Sequence, residues 1–328
     1  MNTPSPLISV VMPVYNRKKY LSLAVESILQ QSFDDFEFII IDDGSTDGAS
    51  DVLRHYATQD SRVRLVEQEN SGYAIALNRG IQRAKGQFLA RMDSDDISLP
   101  DRFALQLEFL RSNPHIVVVG GQALRIDEDG DPLSPMVQLT DSSEIEQKLI
   151  GAIESNRGGL VHPSVMMRKD AVDTVGGYRP GFEPAEDRDL WLRLAEVGQL
   201  ANLPHTVLHY RTHSESVSQE RSAQQHANAT RAIHDAYRRR EQQIPETIHI
   251  WKLQDYPSSD AKTRGRYALT AARNRYYRTA RKHARRALAA EPLNRHAWKA
   301  MVISLLGVEL TTPSGYRQAR GALLCDDK

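Results

Sequence analysis

Short, uninterrupted apolar runs alternate with amphipathic stretches over the first 120 residues. The amphipathic stretches carry apolar residues at helical spacing and predict four helices: Tyr20–Gln30, Thr46–Thr58, Tyr73–Ala84 and Asp101–Arg111. The apolar runs predict strands that are buried on both faces: Ile8–Val14, Phe36–Ile41, Phe88–Met92 and Ile116–Gly120. A further short strand is predicted over Val63–Glu67. Their alternation predicts an α/β fold with a mostly parallel sheet and flanking crossover helices.

The pattern loosens between residues 121 and 215. A turn, two strands, a glycine-rich loop and a helix are predicted there as an extension of the same domain: Asp129-Gly130, Ser164–Met167, Val207–Arg211, Gly176–Glu186 and Asp187–Glu196. From about residue 217 the sequence favours helix, over Ala223–Arg240 and Thr263–Ala290. Pro292 is expected to close one helix and Asn294 to open the next, as at the end of a helical-hairpin repeat.

The sequence argues against a disulfide-stabilised protein, a membrane-spanning helix and a signal peptide. The single cysteine, Cys325, excludes a disulfide framework and fits a reducing cytoplasm. No apolar run reaches the roughly 18 residues that cross a bilayer. The apolar run from Leu7 to Val14 has no basic segment before it, so we interpret it as a first strand and not as a signal peptide.

Charge is distributed unevenly along the chain. Residues 1–220 hold 21 Lys and Arg against 33 Asp and Glu, whereas residues 221–328 hold 21 against 9. The stretch Lys262–Lys299 has twelve basic residues and one acid, with four aromatic residues interleaved: Tyr267, Tyr276, Tyr277 and Trp298. Such a region suits peripheral contact with anionic lipid, while a solvated helical face and a homo-oligomer contact remain open. Nucleic-acid binding is not expected, because the region lacks the signature of any reading module.

Unusual polar groups follow three of the predicted strands. Tyr15-Asn16 follows the first, Asp42-Asp43-Gly44 the second, and the Asp93–Asp96 stretch the fourth. Ligands of such sheets bind beyond the carboxyl ends of the strands, so these groups are expected to surround one crevice. Asp93 and Asp95 suit a hard divalent cation, Mg²⁺ or Mn²⁺, whose remaining positions phosphate oxygens would fill.

Helix capping and turn formation compete with these interpretations. Asp96 or Ser98 could cap the helix that begins near Pro100, but capping does not explain two further acids. After the second strand, Ser45 or Thr46 is expected to cap the next helix. A calcium loop that starts at Asp43 is excluded, because its twelfth position is arginine and not glutamate.

Two other groups of polar residues could carry chemistry. The acids Glu186 and Asp187 lie at the start of a predicted helix. There they could stabilise the helix by interacting with its macrodipole, or one could act as a general base. The residues alone leave both roles open. Imidazoles occur at His162, His209 and His213. The motifs of zinc proteases, esterases, dinucleotide-binding proteins and P-loop ATPases are all absent from the sequence.

Three segments together resemble the family 2 glycosyltransferases of the GT-A fold. They occur in the order of that family: ISVVMPVYNRKKYLSLAVESILQQSFDDFEFIIIDDGSTD, NSGYAIALNRGIQRAKGQFLARMDSDD and AEDRDLWLRL. The resemblance covers roughly residues 7–215. It implies a GT-A domain over 1–216, with a nucleotide-binding half at about 7–123 and an acceptor half at about 124–216. A basic helical C-terminal region would then occupy 217–328.

The resemblance also implies a role for individual residues. Tyr15 matches the aromatic residue that stacks on the donor base, Asp43 the acid that hydrogen-bonds that base, and Asp187 the catalytic base. Asp95 is expected to bind the metal, and Asp93 to contact the metal or the donor ribose. The other residues expected at the nucleotide-sugar or metal site are Pro13, Asn16, Asp42, Asn78, Arg91, Ser94 and His213.

The activity implied is inverting, metal-dependent transfer of a sugar from a nucleotide-diphosphate donor to an acceptor hydroxyl. The chain lacks the Q-x-x-R-W motif of the processive synthases, so single-sugar transfer to a glycan or lipid-linked acceptor is expected. Such an enzyme would work in the cytoplasm or at the inner face of the membrane in bacterial surface-polysaccharide assembly. A nucleotide-sugar-binding protein without turnover is the alternative, and a nucleotidyltransferase would need a glycine- and arginine-rich loop where PVYNRKKY stands.

Overall fold

The computed structural model of the protein describes residues 5–154, 158–213, 222–250 and 259–307. The chain divides into two compact units. The first comprises Met1–Ala123, Gln138–His209 and Arg221–Lys252, and the second comprises Leu124–Val137, Tyr210–Glu220 and Leu253–Lys328. The bounds of these units differ from those of the domains expected at 1–216 and 217–328, which stay a prediction. A hairpin segment groups with the C-terminal helices, and the helix after residue 221 groups with the first unit.

Nine strands and eleven helices lie in the described part of the chain. The strands are β1 (Ile8–Val14), β2 (Phe36–Asp42), β3 (Val63–Glu67), β4 (Phe88–Arg91), β5 (Ile97–Ser98), β6 (Ile116–Ile126), β7 (Pro132–Met136), β8 (Met166–Arg168) and β9 (Gln199–Arg211). The helices are α1 (Lys18–Leu29), α2 (Ala49–Gln59), α3 (Tyr73–Arg83), α4 (Arg102–Ser112), α5 (Ser142–Leu149), α6 (Lys169–Thr174), α7 (Glu186–Leu194), α8 (Ser222–Arg239), α9 (Asp260–Arg273), α10 (Tyr277–Ala290) and α11 (Arg295–Leu306).

The first four strands form the parallel part of the sheet, as predicted. The strand order is β3-β2-β1-β4-β8-β6-β9-β5, with β7 paired to β6. In the parallel part, Val14 at the end of β1 pairs with Asp42, and Val11 pairs with Arg91 at the end of β4. The carboxyl ends of these three strands therefore lie side by side, and the polar residues that follow them meet at one edge.

The rest of the sheet is antiparallel where its register is defined. β8 pairs antiparallel with both β4 and β6, and β5 pairs antiparallel with β9. The expected capping by Ser98 or Asp96 is wrong, because Ser98 lies in β5 and α4 has no side-chain cap. The Ser98 N–H donates to the Ser27 hydroxyl, and its own hydroxyl accepts from Gln31.

Helix α3 lies close against the parallel strands at a glycine. A Cβ atom on Gly80 would lie 2.4 Å from Cγ1 of Val11 in β1. This close approach sets the position of the helix, and with it the position of Tyr73 at the start of the helix, which lies beside the acids that follow β4.

In the described part of the second unit, the helices α9, α10 and α11 pack around an alanine-rich core. The single helix predicted over 263–290 is wrong, because the chain breaks at Asn274 and Arg275, where Arg275 has a φ of +66°. The predicted start of the next helix is confirmed, since the Asn294 side chain accepts from the Ala297 N–H and caps α11. Within the described residues, every helix lacks the combination of length and apolar character that crossing a membrane requires.

Candidate active site

The loops after β1 and β2 are tied together by side-chain hydrogen bonds. Asn16, at a φ of +52°, donates its backbone N–H to the Ser45 hydroxyl and accepts from the Thr46 N–H at 2.8 Å. The expected capping of α2 by Ser45 or Thr46 is wrong, because the Asp47 carboxylate accepts from the first helical N–H, that of Ala49. The Tyr15 ring beside this junction remains 48% exposed, which leaves its face accessible for stacking.

The two buried acids at the end of β2 have different hydrogen-bond partners, Asp42 in the segment after β2 and Asp43 in the segment after β3. Asp42 accepts from the Ser45 N–H and the Ser50 hydroxyl. Asp43 accepts from the Gln68 amide, from the Ser71 N–H and hydroxyl, and from the Gly72 N–H. The two carboxylates thus fix the backbone that follows β2 and β3. The contacts expected for them with the nucleotide stay predictions.

Three carboxylates converge after β4. Asp93, Asp95 and Asp96 each offer an oxygen, and these atoms lie within 4.8 Å of one another, with Asp96 the most buried. The Asp93 carboxylate is 2.6 Å from Nη2 of Arg91 and accepts from the Tyr73 hydroxyl at 3.1 Å. Asp95 lies 3.7 Å from Nε of Arg17, which follows β1.

The electrostatics of this cluster suit a divalent cation. Burial raises the pKa of the Asp93 carboxyl, and the nearby charge of Asp95 raises it further, while Arg91 lowers it in part. Clustered carboxylate oxygens are the ligands that Mg²⁺ and Mn²⁺ prefer, and a bound cation would relieve their mutual repulsion. The donor set therefore fits the metal that the sequence predicted.

Arg91 is the buried cation of the site. Burial opposes its charge, but Asp93 and the other groups facing it raise the pKa of its guanidinium above the usual value. The guanidinium lies 5.5 Å from the centre of the Tyr73 ring, and its Nε and Nη1 atoms have no hydrogen-bond partner among the described residues. Arg91 therefore orients Asp93 and also retains N–H groups that could meet an anionic ligand.

The start of α7 holds a second pair of acids. The Asp187 carboxylate accepts from the Arg188 N–H at 2.7 Å, and burial raises its pKa above the usual value. Burial and the neighbouring charge of Asp187 raise the pKa of Glu186 to about 8, and its Oε2 has no partner within the described chain. Burial therefore favours the protonated form of Glu186 at neutral pH.

A group of aromatic residues that the sequence did not assign to the site lies between the two sets of acids. His162 is 2.7 Å from the Tyr178 hydroxyl through Nε2 and 3.8 Å from Glu186 through Nδ1. Its ring also lies edge-on to Tyr73 and Trp191. Burial and the charge of Arg91 hold the pKa of His162 well below its usual value, so the imidazole is neutral.

The other residues predicted at the nucleotide-sugar or metal site lie in several parts of the structure. Asn78 uses its side-chain amide to hold the backbone of Tyr178 at both N–H and carbonyl, which makes it a support for the loop before α7. Pro13 lies within β1 and Ser94 is buried beside the acids. His213 is buried in the second unit, and its expected role near the metal stays a prediction.

Comparison with known proteins identifies the family. The sequence model described as Glycosyl transferase family 2 matches residues 9–176. The chain belongs to glycosyl transferase family 2. This family 2 enzyme is 35% identical over 214 residues to the O-antigen biosynthesis glycosyltransferase WbnJ of Escherichia coli, covering 64% of this chain and 81% of WbnJ. Family membership makes the protein a nucleotide-sugar-dependent glycosyltransferase, as the resemblance predicted.

Solved structures of similar fold support the GT-A assignment for this family 2 enzyme. The mannosyltransferase PcManGT of Pyrobaculum calidifontis, in complex with GDP-Man and Mn²⁺, has a TM-score of 0.53 at 18% identity and covers 99% of this chain and 89% of its own. Residues 1–349 of TarS from S. aureus, in complex with UDP-GlcNAc, have a TM-score of 0.53 at 15% identity, with coverages of 95% and 92%. The predicted fold class is confirmed.

Proposed function

We propose that this family 2 glycosyltransferase transfers one sugar, with inversion, from a nucleoside-diphosphate donor to an acceptor hydroxyl in the assembly of a bacterial surface polysaccharide. The name of WbnJ, an O-antigen biosynthesis glycosyltransferase, supports a role in polysaccharide assembly. The nucleotide sugars bound to PcManGT and TarS support a nucleoside-diphosphate sugar as the donor. The observation that carries the proposal is the convergence of three carboxylates after β4 in the same unit as the raised-pKa acid Asp187.

The acids after β4 would hold the cation. Asp95 and Asp93 supply carboxylate oxygens to Mn²⁺ or Mg²⁺, and the Mn²⁺ in PcManGT supports this choice of ion. The cation, when bound, supplies positive charge for the diphosphate leaving group. Arg91 keeps Asp93 in place through its 2.6 Å ion pair, and its remaining N–H groups suit an anionic part of the donor.

Asp187 would remove the proton from the acceptor hydroxyl. A base is more effective when its pKa lies closer to the working pH, and burial moves the pKa of Asp187 in that direction. Inversion requires the acceptor oxygen to attack the anomeric carbon from the face opposite the leaving diphosphate. At neutral pH the neighbouring Glu186 carries a proton, so a second negative charge does not compete with Asp187.

The nucleotide would lie on the loops after β1 and β2. The exposed Tyr15 ring suits stacking on the base. Asn16 and Asp42 hold the two loops in place, and Asp43 joins the end of β2 to the segment after β3. A lipid-linked acceptor at the inner face of the membrane fits the basic C-terminal helices, and single-sugar transfer fits the absence of the synthase motif from the sequence.

Asparagine substitutions separate the two proposed roles. A panel of nucleotide sugars is assayed with Mn²⁺ for transfer and donor hydrolysis. Asp95→Asn and Asp187→Asn are each expected to lose about 100-fold or more in transfer. Asp95→Asn also loses Mn²⁺-dependent nucleotide binding in calorimetry, whereas Asp187→Asn keeps it, because only the first removes a proposed ligand of the cation.

The matched control is Asp129→Asn, which removes a carboxylate from the acidic turn of the second unit. That turn already holds a cation, since the ammonium of Lys282 contacts Asp127, Asp129 and Asp131. Its transfer rate should equal that of the wild type. Full transfer by Asp95→Asn would exclude the cation assignment, and full transfer by Asp187→Asn would exclude the base.

A further inference from the structure

Exposed apolar side chains concentrate at the last described helix. Nine large hydrophobic residues are exposed in the described chain, and five of them lie between residues 293 and 306. Three occupy one side of α11 at helical spacing and form what we call the α11 stripe: Trp298, Val302 and Leu305, which are 54%, 51% and 67% exposed. Leu293 precedes the helix and Leu306 ends it, and both are more exposed still. This concentration distinguishes α11 from helices with single exposed apolar residues, which need no explanation.

The indole of Trp298 is held in place at the start of the stripe. Its N–H donates to the Pro292 carbonyl at 2.8 Å, which satisfies the polar atom while the ring stays exposed. The three tyrosines that share the basic stretch Lys262–Lys299 with Trp298 behave differently. Tyr267, Tyr276 and Tyr277 are partly buried against the alanine-rich core. Of these four aromatic residues, Trp298 is therefore the one available to an external partner.

Basic side chains lie next to the stripe. Arg295 and Lys299 are exposed on α11, one turn apart, and their helical positions lie beside those of Trp298 and Val302. Residues 259–307 contain twelve Lys and Arg against two acids, Asp260 and Glu291. A helix face with tryptophan and aliphatic residues along a basic edge is typical of interfacial helices that lie on anionic lipid.

We propose that the α11 stripe and its basic edge dock this enzyme on an anionic lipid surface. The inference deepens the proposed function, on which it rests, by naming the surface that would bring the enzyme to a lipid-linked acceptor. Charge favours lipid over a second copy of the chain, because a symmetric dimer through this face would bring two strongly basic helical units together. Each basic residue at an anionic surface strengthens binding about fivefold.

Vesicle co-sedimentation of the full chain tests the docking surface. Vesicles of phosphatidylcholine are compared with vesicles that also contain phosphatidylglycerol, in the absence of donor. The wild type should bind the anionic vesicles, and salt should weaken this binding.

Val302→Ser combined with Leu305→Ser should reduce binding about tenfold or more. Arg295→Gln combined with Lys299→Gln should reduce it about 25-fold. Leu23→Ser combined with Val197→Ser, two exposed apolar positions of the first unit, is the matched control and should bind like the wild type.

Tryptophan emission locates the contact. Anionic vesicles should shift the emission of the wild type to shorter wavelength, and Trp298→Phe should remove most of that shift while binding persists. Donor hydrolysis without vesicles should be equal in all these variants. If the wild type does not hydrolyse donor, the proposed function is contradicted. If it hydrolyses donor but does not bind anionic vesicles, only the docking surface is contradicted.

Several results would overturn the docking surface. One is the absence of binding to anionic vesicles, and another is unchanged binding by the two serine substitutions in α11. A third is a dimer in light scattering that these substitutions convert to a monomer, which would assign the stripe to a second copy. A fourth is loss of vesicle binding after deletion of residues 308–328, which would assign the lipid contact to that segment and not to the stripe.

Discussion

Glu186 shows at the scale of one residue how burial in the site affects stability. Its carboxyl binds a proton below about pH 8 in the folded enzyme, against an ordinary pKa of 4.5. Between these two pH values the folded state holds a proton that the unfolded state has released. The free energy of unfolding therefore falls as the pH rises through this window, by on the order of a few kcal/mol, and the contribution is lost above about pH 8.

Glu186→Gln should flatten this dependence, because the amide is neutral at every pH. Urea unfolding between pH 4.5 and 8.5 measures the slope for both proteins. The control is Glu144→Gln, which changes an exposed glutamate in the first turn of α5 and should leave the slope unchanged. Equal slopes for the wild type and Glu186→Gln would contradict the raised pKa.

At the scale of elements, the contact between α3 and β1 governs the position of the site. Gly80→Ala would place a methyl group 2.4 Å from Val11, so the helix must shift or the strand must give way. We expect a loss of about 1–3 kcal/mol in urea unfolding. The KM for donor should rise as well, because Tyr73 at the start of this helix donates to Asp93.

Gln82→Ala is the control for this prediction, since Gln82 is exposed on the same helix. Its stability should stay within about 0.5 kcal/mol of the wild type. A Gly80→Ala variant as stable and as active as the wild type would show that the helix and strand can adjust without cost.

The elements that the sequence predicted are those with a strong local pattern. The four parallel strands and their helices carry continuous apolar runs or helical spacing, and their positions agree within a few residues. β5 was missed because two residues, Ile97 and Ser98, form no pattern. The break before α10 was missed because it depends on a left-handed arginine, Arg275, which is not a residue type that usually marks a turn.

The residues of the candidate site likewise fall into those predicted from local sequence and those that were missed. The acids after β4 and at the start of α7 were found because they are adjacent in sequence and belong to motifs. The aromatic group around His162 was missed because its contacts join distant parts of the chain, such as Asn78 and Tyr178, which are 100 residues apart. Single-sequence patterns carry no information on such pairs.

At the scale of the whole molecule, the uneven charge marks two regions but not their boundary. The negative residues 1–220 and the positive residues 221–328 suggested two regions, and the family resemblance placed their boundary at residue 216. The second unit instead includes the acidic turn 127–131, whose Asp127 is fully buried and contacts both Lys282 and His283 of α10. Pairing across 150 residues places this turn with the basic helices, because buried charges require partners.

Ligand binding should therefore stabilise the two units to different degrees. Mn²⁺ together with a nucleoside diphosphate would bind residues of the first unit, and at a hundred times the dissociation constant it should stabilise the folded state by about 2.7 kcal/mol. Scanning calorimetry with and without these ligands should show a raised melting temperature for the wild type and none for Asp95→Asn. Asp129→Asn, which weakens the acidic turn of the second unit, should keep the full shift, because its carboxylate binds Lys282 and not the ligand. A shift retained by Asp95→Asn but lost in Asp129→Asn would move the cation site from the acids after β4 to the acidic turn.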